Sequence, residues 1–97
     1  MPDIQDHTII ALAENASATG LAITWPGGAG TFSAEATWGG GSVTLQTQTG
    51  AGTWISVGAD AVLVATGIVG FILPKGARLR ASIATATAVY AYVVPLD

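Results

Sequence analysis

The chain has 97 residues, a formal net charge of −3 and only 9% charged side chains, with 13 glycines and no cysteine. That length allows one domain and excludes a multi-domain enzyme. Low charge with 51% apolar residues excludes a disordered chain, the missing Cys excludes a disulfide framework, and three basic residues argue against nucleic-acid binding.

Residues 1–7 are polar and read as a flexible arm before a single domain spanning 8–97. They contain no basic stretch followed by an apolar one, so no signal peptide is expected. Asp3, Asp6 and His7 are three metal-ligand types within five residues. A solvated tail accounts for them better than a site, which needs rigid second-shell support. Residues 8–13 read as a strand on their β-branched content, with a short helix through Ile9, Leu12, Ala13 and Ala16 as the alternative.

From Gly20 onward, turn signals recur every eight to ten residues. Leu21–Trp25 is a predicted strand, stopped by Pro26-Gly27-Gly28. Thr31–Trp38 alternates, with Phe32, Ala34, Ala36 and Trp38 on one face and Glu35 on the other. Ser42–Thr49 and Thr53–Val57 follow, separated by Gly50-Ala51-Gly52. The apolar run from Ala61 to Pro74 is too short to span a membrane as a helix, which takes about 20 residues. It reads as two buried strands, Val62–Ala65 and Ile68–Leu73. Ala77–Thr85 points Leu79, Ala81 and Ile83 inward and Arg78 and Arg80 outward. Ala88–Val94 is apolar on both faces.

Period-two alternation predicts an all-β fold: an antiparallel, jelly-roll-like sandwich of about eight strands. The expected core is Phe32, Trp38, Val43, Leu45, Ile55, Val57, Leu63, Leu79, Ile83, Val89 and Val93.

The chemistry-bearing residues do not assemble into a catalytic pattern. His7 is the only His, and the serines lie in no nucleophile motif. Glu35 and Asp60 read as surface acids rather than a glycosidase pair. The glycine clusters at 27–30 and 39–41 lead into strands, not helices, so they are turns rather than phosphate loops. No catalysis, bound metal or cofactor is therefore expected.

Lys75, Arg78 and Arg80 hold all the positive charge of the chain within six residues. They form either a solvated strand edge or a docking contact to an acidic surface. Trp54 is out of phase with Ile55 and Val57, which marks it as an exposed or interfacial aromatic. On the last strand only one apolar face can enter the core, so Tyr90, Tyr92 and Val94 are candidates for an interface between copies.

Three segments carry a family resemblance: GGAGTFSAEATWGGGSVTLQTQTGAGTWISVGADA (27–61), GFILPKGARLRASI (70–83) and AVYAYVVPL (88–96). Glycine turns, an aromatic strand with Glu-x-Thr, Val-x-Leu-Gln, a Gly-Thr-Trp hairpin, Leu-Pro-x-Gly and a closing Tyr-Ala strand resemble the small virion proteins of tailed bacteriophages. The Ala-rich stretch 11–22 and the Tyr90-Ala91-Tyr92 segment depart from that pattern. The resemblance implies a capsid decoration (cement) or head-fibre protein, made in the bacterial cytoplasm and placed on the capsid surface. Its implied partner is the major capsid protein, with Lys75, Arg78 and Arg80 as contacts, and its implied state is a homotrimer. A carbohydrate- or receptor-binding module of a fibre or tail is the alternative.

Overall fold

The computed structural model describes residues 9–20 and 22–96; the predicted arm with Asp3, Asp6 and His7 lies outside them. Nine strands form among the described residues: β1 (Ile10–Ala16), β2 (Ile23–Thr24), β3 (Gly28–Thr37), β4 (Ser42–Gln48), β5 (Trp54–Ser56), β6 (Val62–Leu63), β7 (Gly67–Leu73), β8 (Arg78–Ala84) and β9 (Thr87–Pro95). One short 3₁₀ turn, Ala59–Ala61, joins β5 to β6. All pairings are antiparallel. A four-stranded sheet has the order β1-β9-β3-β7, and a five-stranded sheet the order β2-β8-β4-β5, with β6 also pairing β4.

This is jelly-roll connectivity, and it has a simple origin. The chain doubles back at residues 49–53, and its halves pair in nested order: β4 with β5, β3 with β7, β2 with β8, β1 with β9. The doubling point is locally encoded. The Thr49 N–H donates to the Thr53 carbonyl (2.8 Å) and the Gly52 N–H to the Thr49 carbonyl (2.9 Å). The Gln48 amide donates to the Gly52 carbonyl (3.1 Å). Gly52 sits at φ +92°, where a side chain would be strained.

Period-two alternation puts Phe32, Val43, Leu45, Leu79, Val89 and Val93 fully inside, as expected. Trp38, Val57, Leu63 and Ile83 pack against that core from partly exposed positions. Ile55 departs from expectation: it is 47% exposed. It pairs with Thr47 on the inward side, but β5 is a three-residue strand at the sheet edge, and nothing covers it fully. The predicted burial of the 61–74 run holds on one face only. β7 belongs to a sheet whose outer face has no layer over it among the described residues, so Val69 and Phe71 turn inward while Ile68 and Ile72 stay exposed. The first strand runs on to Ala16 through two register shifts, with Asn15 at φ 52°. An extra residue at a bulge carries the chain past the predicted end, and Asn tolerates that conformation.

The most enclosed large side chain is Trp25, at 0% exposure. Its indole N–H donates to the Gly28 carbonyl (3.2 Å), and its ring lies 4.8 Å from Phe71 at 50°. Gly30 makes room for it: a Cβ there would lie 2.4 Å from the indole Cη2. The rest of the core is fine-grained, with Ala13, Ala34, Ala61, Ala81, Ala86 and Ala91 all buried.

Two stability tests follow from this packing. Leu45→Ala should lower the unfolding free energy in urea by about 2–5 kcal/mol, whereas Ile55→Ala should cost about 1 kcal/mol or less, the range of sites away from the core. Gly30→Ala should cost about 1–3 kcal/mol, as overpacking does, and the loss should shrink when Trp25 is replaced by Phe.

Candidate functional site

The described residues present two chemically different outer faces. On the five-stranded sheet, Arg80 pairs with Gln46, and Gln46 pairs with Ser56. The Arg80 guanidinium lies 4.4 Å above the Trp54 ring, and its Nε donates to Gln46 Oε1 at 2.8 Å. Trp54 is therefore half-buried, with one ring face occupied by a cation. Arg78, one strand position earlier on the same face, stands opposite Thr24 and is exposed.

Lys75 sits in the turn between β7 and β8, where the chain passes from the four-stranded sheet to the five-stranded one. The Gly76 N–H donates to the Trp25 carbonyl (2.9 Å), and the Trp25 N–H donates to the Ala77 carbonyl (2.7 Å). The buried Trp25 thus fixes the turn that displays Lys75. The three predicted cations come together along one strand and its leading turn, but they are not equivalent. Arg80 is committed to Trp54 and Gln46, while Lys75 and Arg78 project into solvent.

The outer face of the four-stranded sheet is aromatic, aliphatic and acidic. Tyr90 stands opposite Glu35, Tyr92 opposite Ser33 and Val94 opposite Thr31. The next strand adds Ile68 opposite Ser33 and Gly70 opposite Thr31. Ser33, Glu35, Thr66, Ile68, Tyr90 and Tyr92 line a shallow depression of about 440 Å³. The Tyr92 phenol is held above its ordinary value of 10.0, first by desolvation on this face, then by the negative charges of Glu14, Tyr90 and Glu35.

The structure brings Tyr90, Tyr92 and Val94 together but sets Trp54 apart from them, on the other sheet. Sequence reasoning missed Ile68 and Ile72 as surface residues. Their run is apolar on both faces, so it does not say which face the second layer covers. Among the described residues no group of His, Cys, Asp or Glu could hold a metal ion, and no helix is long and apolar enough to cross a membrane.

Compared with known proteins, the chain matches no family model, and no curated protein or solved structure matches it.

The two faces make separate predictions. In an ultraviolet titration of the phenols, Tyr92 should ionise above the ordinary range, and Glu14→Gln or Glu35→Gln should bring it down. A raised folded-state pKa means the folded chain holds its proton longer than the unfolded one. The linked stability is full below pH 10.0 and is lost as pH rises through the folded-state value. On the opposite face, a double-mutant cycle of Arg80→Ala with Trp54→Ala should give a coupling of about 0.5–1 kcal/mol, as expected for a partly exposed cation–π pair.

Proposed function

We propose that the chain is a non-enzymatic structural protein of a tailed-phage particle, attached to the outside of the capsid by its basic side. Copies associate through the outer face that carries Tyr90, Tyr92 and Val94. The observation that carries this reading is the segregation of surface chemistry. The cations cluster on β8 and on the turn that leads into it, a turn anchored to the core. Exposed Tyr90 and half-buried Tyr92, with Glu14 and Glu35 near them, stand on the other sheet. A domain with its cations clustered on β8 and its leading turn and an aromatic, partly acidic face on the other sheet is suited to lie between a surface and its own neighbours.

Three further considerations support it. The sequence resembles small virion proteins in its turns and strands. Jelly rolls recur in viral capsid proteins, although fold alone does not fix function. The described carboxylates, Glu14, Glu35 and Asp60, do not converge on a cleft with a base or nucleophile, which favours binding over catalysis.

Carbohydrate or receptor binding is a second reading, and one observation favours it. The depression between Tyr90, Tyr92 and Ile68 sets aromatic rings beside Glu35, Ser33 and Thr66, a mixture of stacking and hydrogen-bonding groups that sugars use.

Attachment is tested by sedimenting the protein with purified phage heads at rising salt. Lys75→Gln with Arg78→Gln should weaken binding and flatten its salt dependence. Arg80→Gln should weaken binding less and lower stability, because Arg80 is held by Trp54 and Gln46. Binding unchanged by all three would refute the basic contact. Failure to bind heads, together with glycan binding lost in Tyr90→Ala, would favour the second reading.

A further inference from the structure

Strand β7 is the feature the two faces leave unused. Among the described residues it pairs with β3 alone, so its other edge has no strand beside it. Exposed edges template pairing with another chain, and proteins usually blunt them with charge, proline or a bulge. β7 has none of these. Gly67–Leu73 contains no charged residue and no proline, and its register with β3 runs unbroken from Gly28↔Leu73 to Ala34↔Gly67. Across a shallow gap from Gly70, Phe71 and Ile72 lies segment 57–61, which bears one charge, Asp60, and has no strand pairing to β7.

The strand is self-complementary. Gly70 is its central residue. Ile68 and Ile72 lie two positions to either side on the outer face, 64% and 78% exposed. Val69 and Phe71 lie one position to either side and face the core. Antiparallel pairing of two copies about Gly70 sets Gly70 opposite Gly70. It sets each Ile68 opposite an Ile72, so both exposed isoleucines gain an apolar cross-strand neighbour. Shifting one copy by one residue would set Ile68 opposite Phe71, and the outward and inward sets would no longer match.

We propose that β7 pairs antiparallel with β7 of a second copy across a two-fold axis at Gly70, joining two four-stranded sheets into one continuous eight-stranded sheet. A second copy is the occupant this edge fits, because its pattern is symmetric about its own centre and it offers no charge to an unlike partner. The contact is isologous, so it closes at two chains and removes the open edge instead of propagating it. It also carries the Tyr90 and Tyr92 face of each copy into one broad surface. The inference keeps the self-association of the reading above but places its contact at this edge instead of on the tyrosine face, and it does not depend on capsid attachment.

Cysteine cross-linking tests the register, because the chain has no Cys of its own. A Cβ at Gly70 would meet nothing closer than the Gly30 carbonyl at 3.8 Å, so Gly70→Cys should fold normally. Residues directly opposite in an antiparallel pair lie about 4.5–5.5 Å apart, inside the disulfide range. Gly70→Cys should link two copies under mild oxidation. Ile68→Cys alone should not, since its equivalents would be ~13 Å apart, but Ile68→Cys mixed with Ile72→Cys should. Light scattering should give twice the 9.7 kDa chain mass. Gly70→Lys should return it to one chain mass with an unchanged far-UV spectrum. Ile68→Lys with Ile72→Glu in the same chain should restore the dimer that either change alone weakens.

A dimer in which Gly70→Cys links no better than Ile68→Cys would overturn the pairing and leave self-association standing. A monomer would overturn both. A three-chain mass, the state the virion resemblance implies, would overturn the two-fold axis. Head binding retained in Gly70→Lys would show that attachment stands or falls separately.

Discussion

Trp25 organises this molecule. A fully buried indole must find room and satisfy its N–H, and here both conditions are met by glycines three and five residues along the chain. Its backbone also exchanges hydrogen bonds with Gly76 and Ala77, so the end of β2, the start of β3 and the turn before β8 are tied to one point. Phe71 of β7 closes against the ring. The core elsewhere is largely alanine and valine, which bring the sheets together without filling much volume. One large ring sets their spacing at this end, and the turn that displays Lys75 inherits its position from it.

The nested pairing explains why the surface chemistry separates. β8 pairs with β4 in one sheet, and β9 pairs with β3 in the other. The cations of β8 and the tyrosines of β9 are close in sequence, yet the chain crosses from sheet to sheet between them. A segment of about twenty residues thereby supplies opposite chemistries to opposite sides of the sandwich. The same crossing leaves β7 at an edge, because the two strands that follow it pair elsewhere.

Much of this was legible in the sequence, because period-two alternation maps directly onto the two faces of a strand. Phe32, Val43, Leu45, Leu79, Val89 and Val93 could be assigned inward from parity alone, and so could the outward Glu35, Arg78 and Arg80. Parity says which way a side chain points, not whether anything lies over it. Ile55 points inward beyond the covering layer, and Ile68 and Ile72 point outward on a face that their own sequence does not mark as uncovered. Trp25 was missed as the central core residue because it lies just past a two-residue strand, where alternation has no length to speak. The link between Arg80 and Trp54 was hidden for a different reason. It joins strands that are neighbours of β4 on opposite sides, so it depends on sheet order rather than on any local pattern.

The nesting has a mechanical consequence as well. β1 and β9 lie side by side, with Ile10 opposite Val93, so the two ends of the described fold sit next to each other. A force pulling those ends apart acts along the hydrogen bonds between the strands, which run perpendicular to them. Such a load opens the ladder one pair at a time, and each rupture passes the strain to the next pair. A load entering through the side of the sandwich, along β8 and out through the opposite sheet, is instead shared by many bonds and by the packed layer between them. The fold is weak when peeled from its ends and stiff when pressed or sheared between its faces.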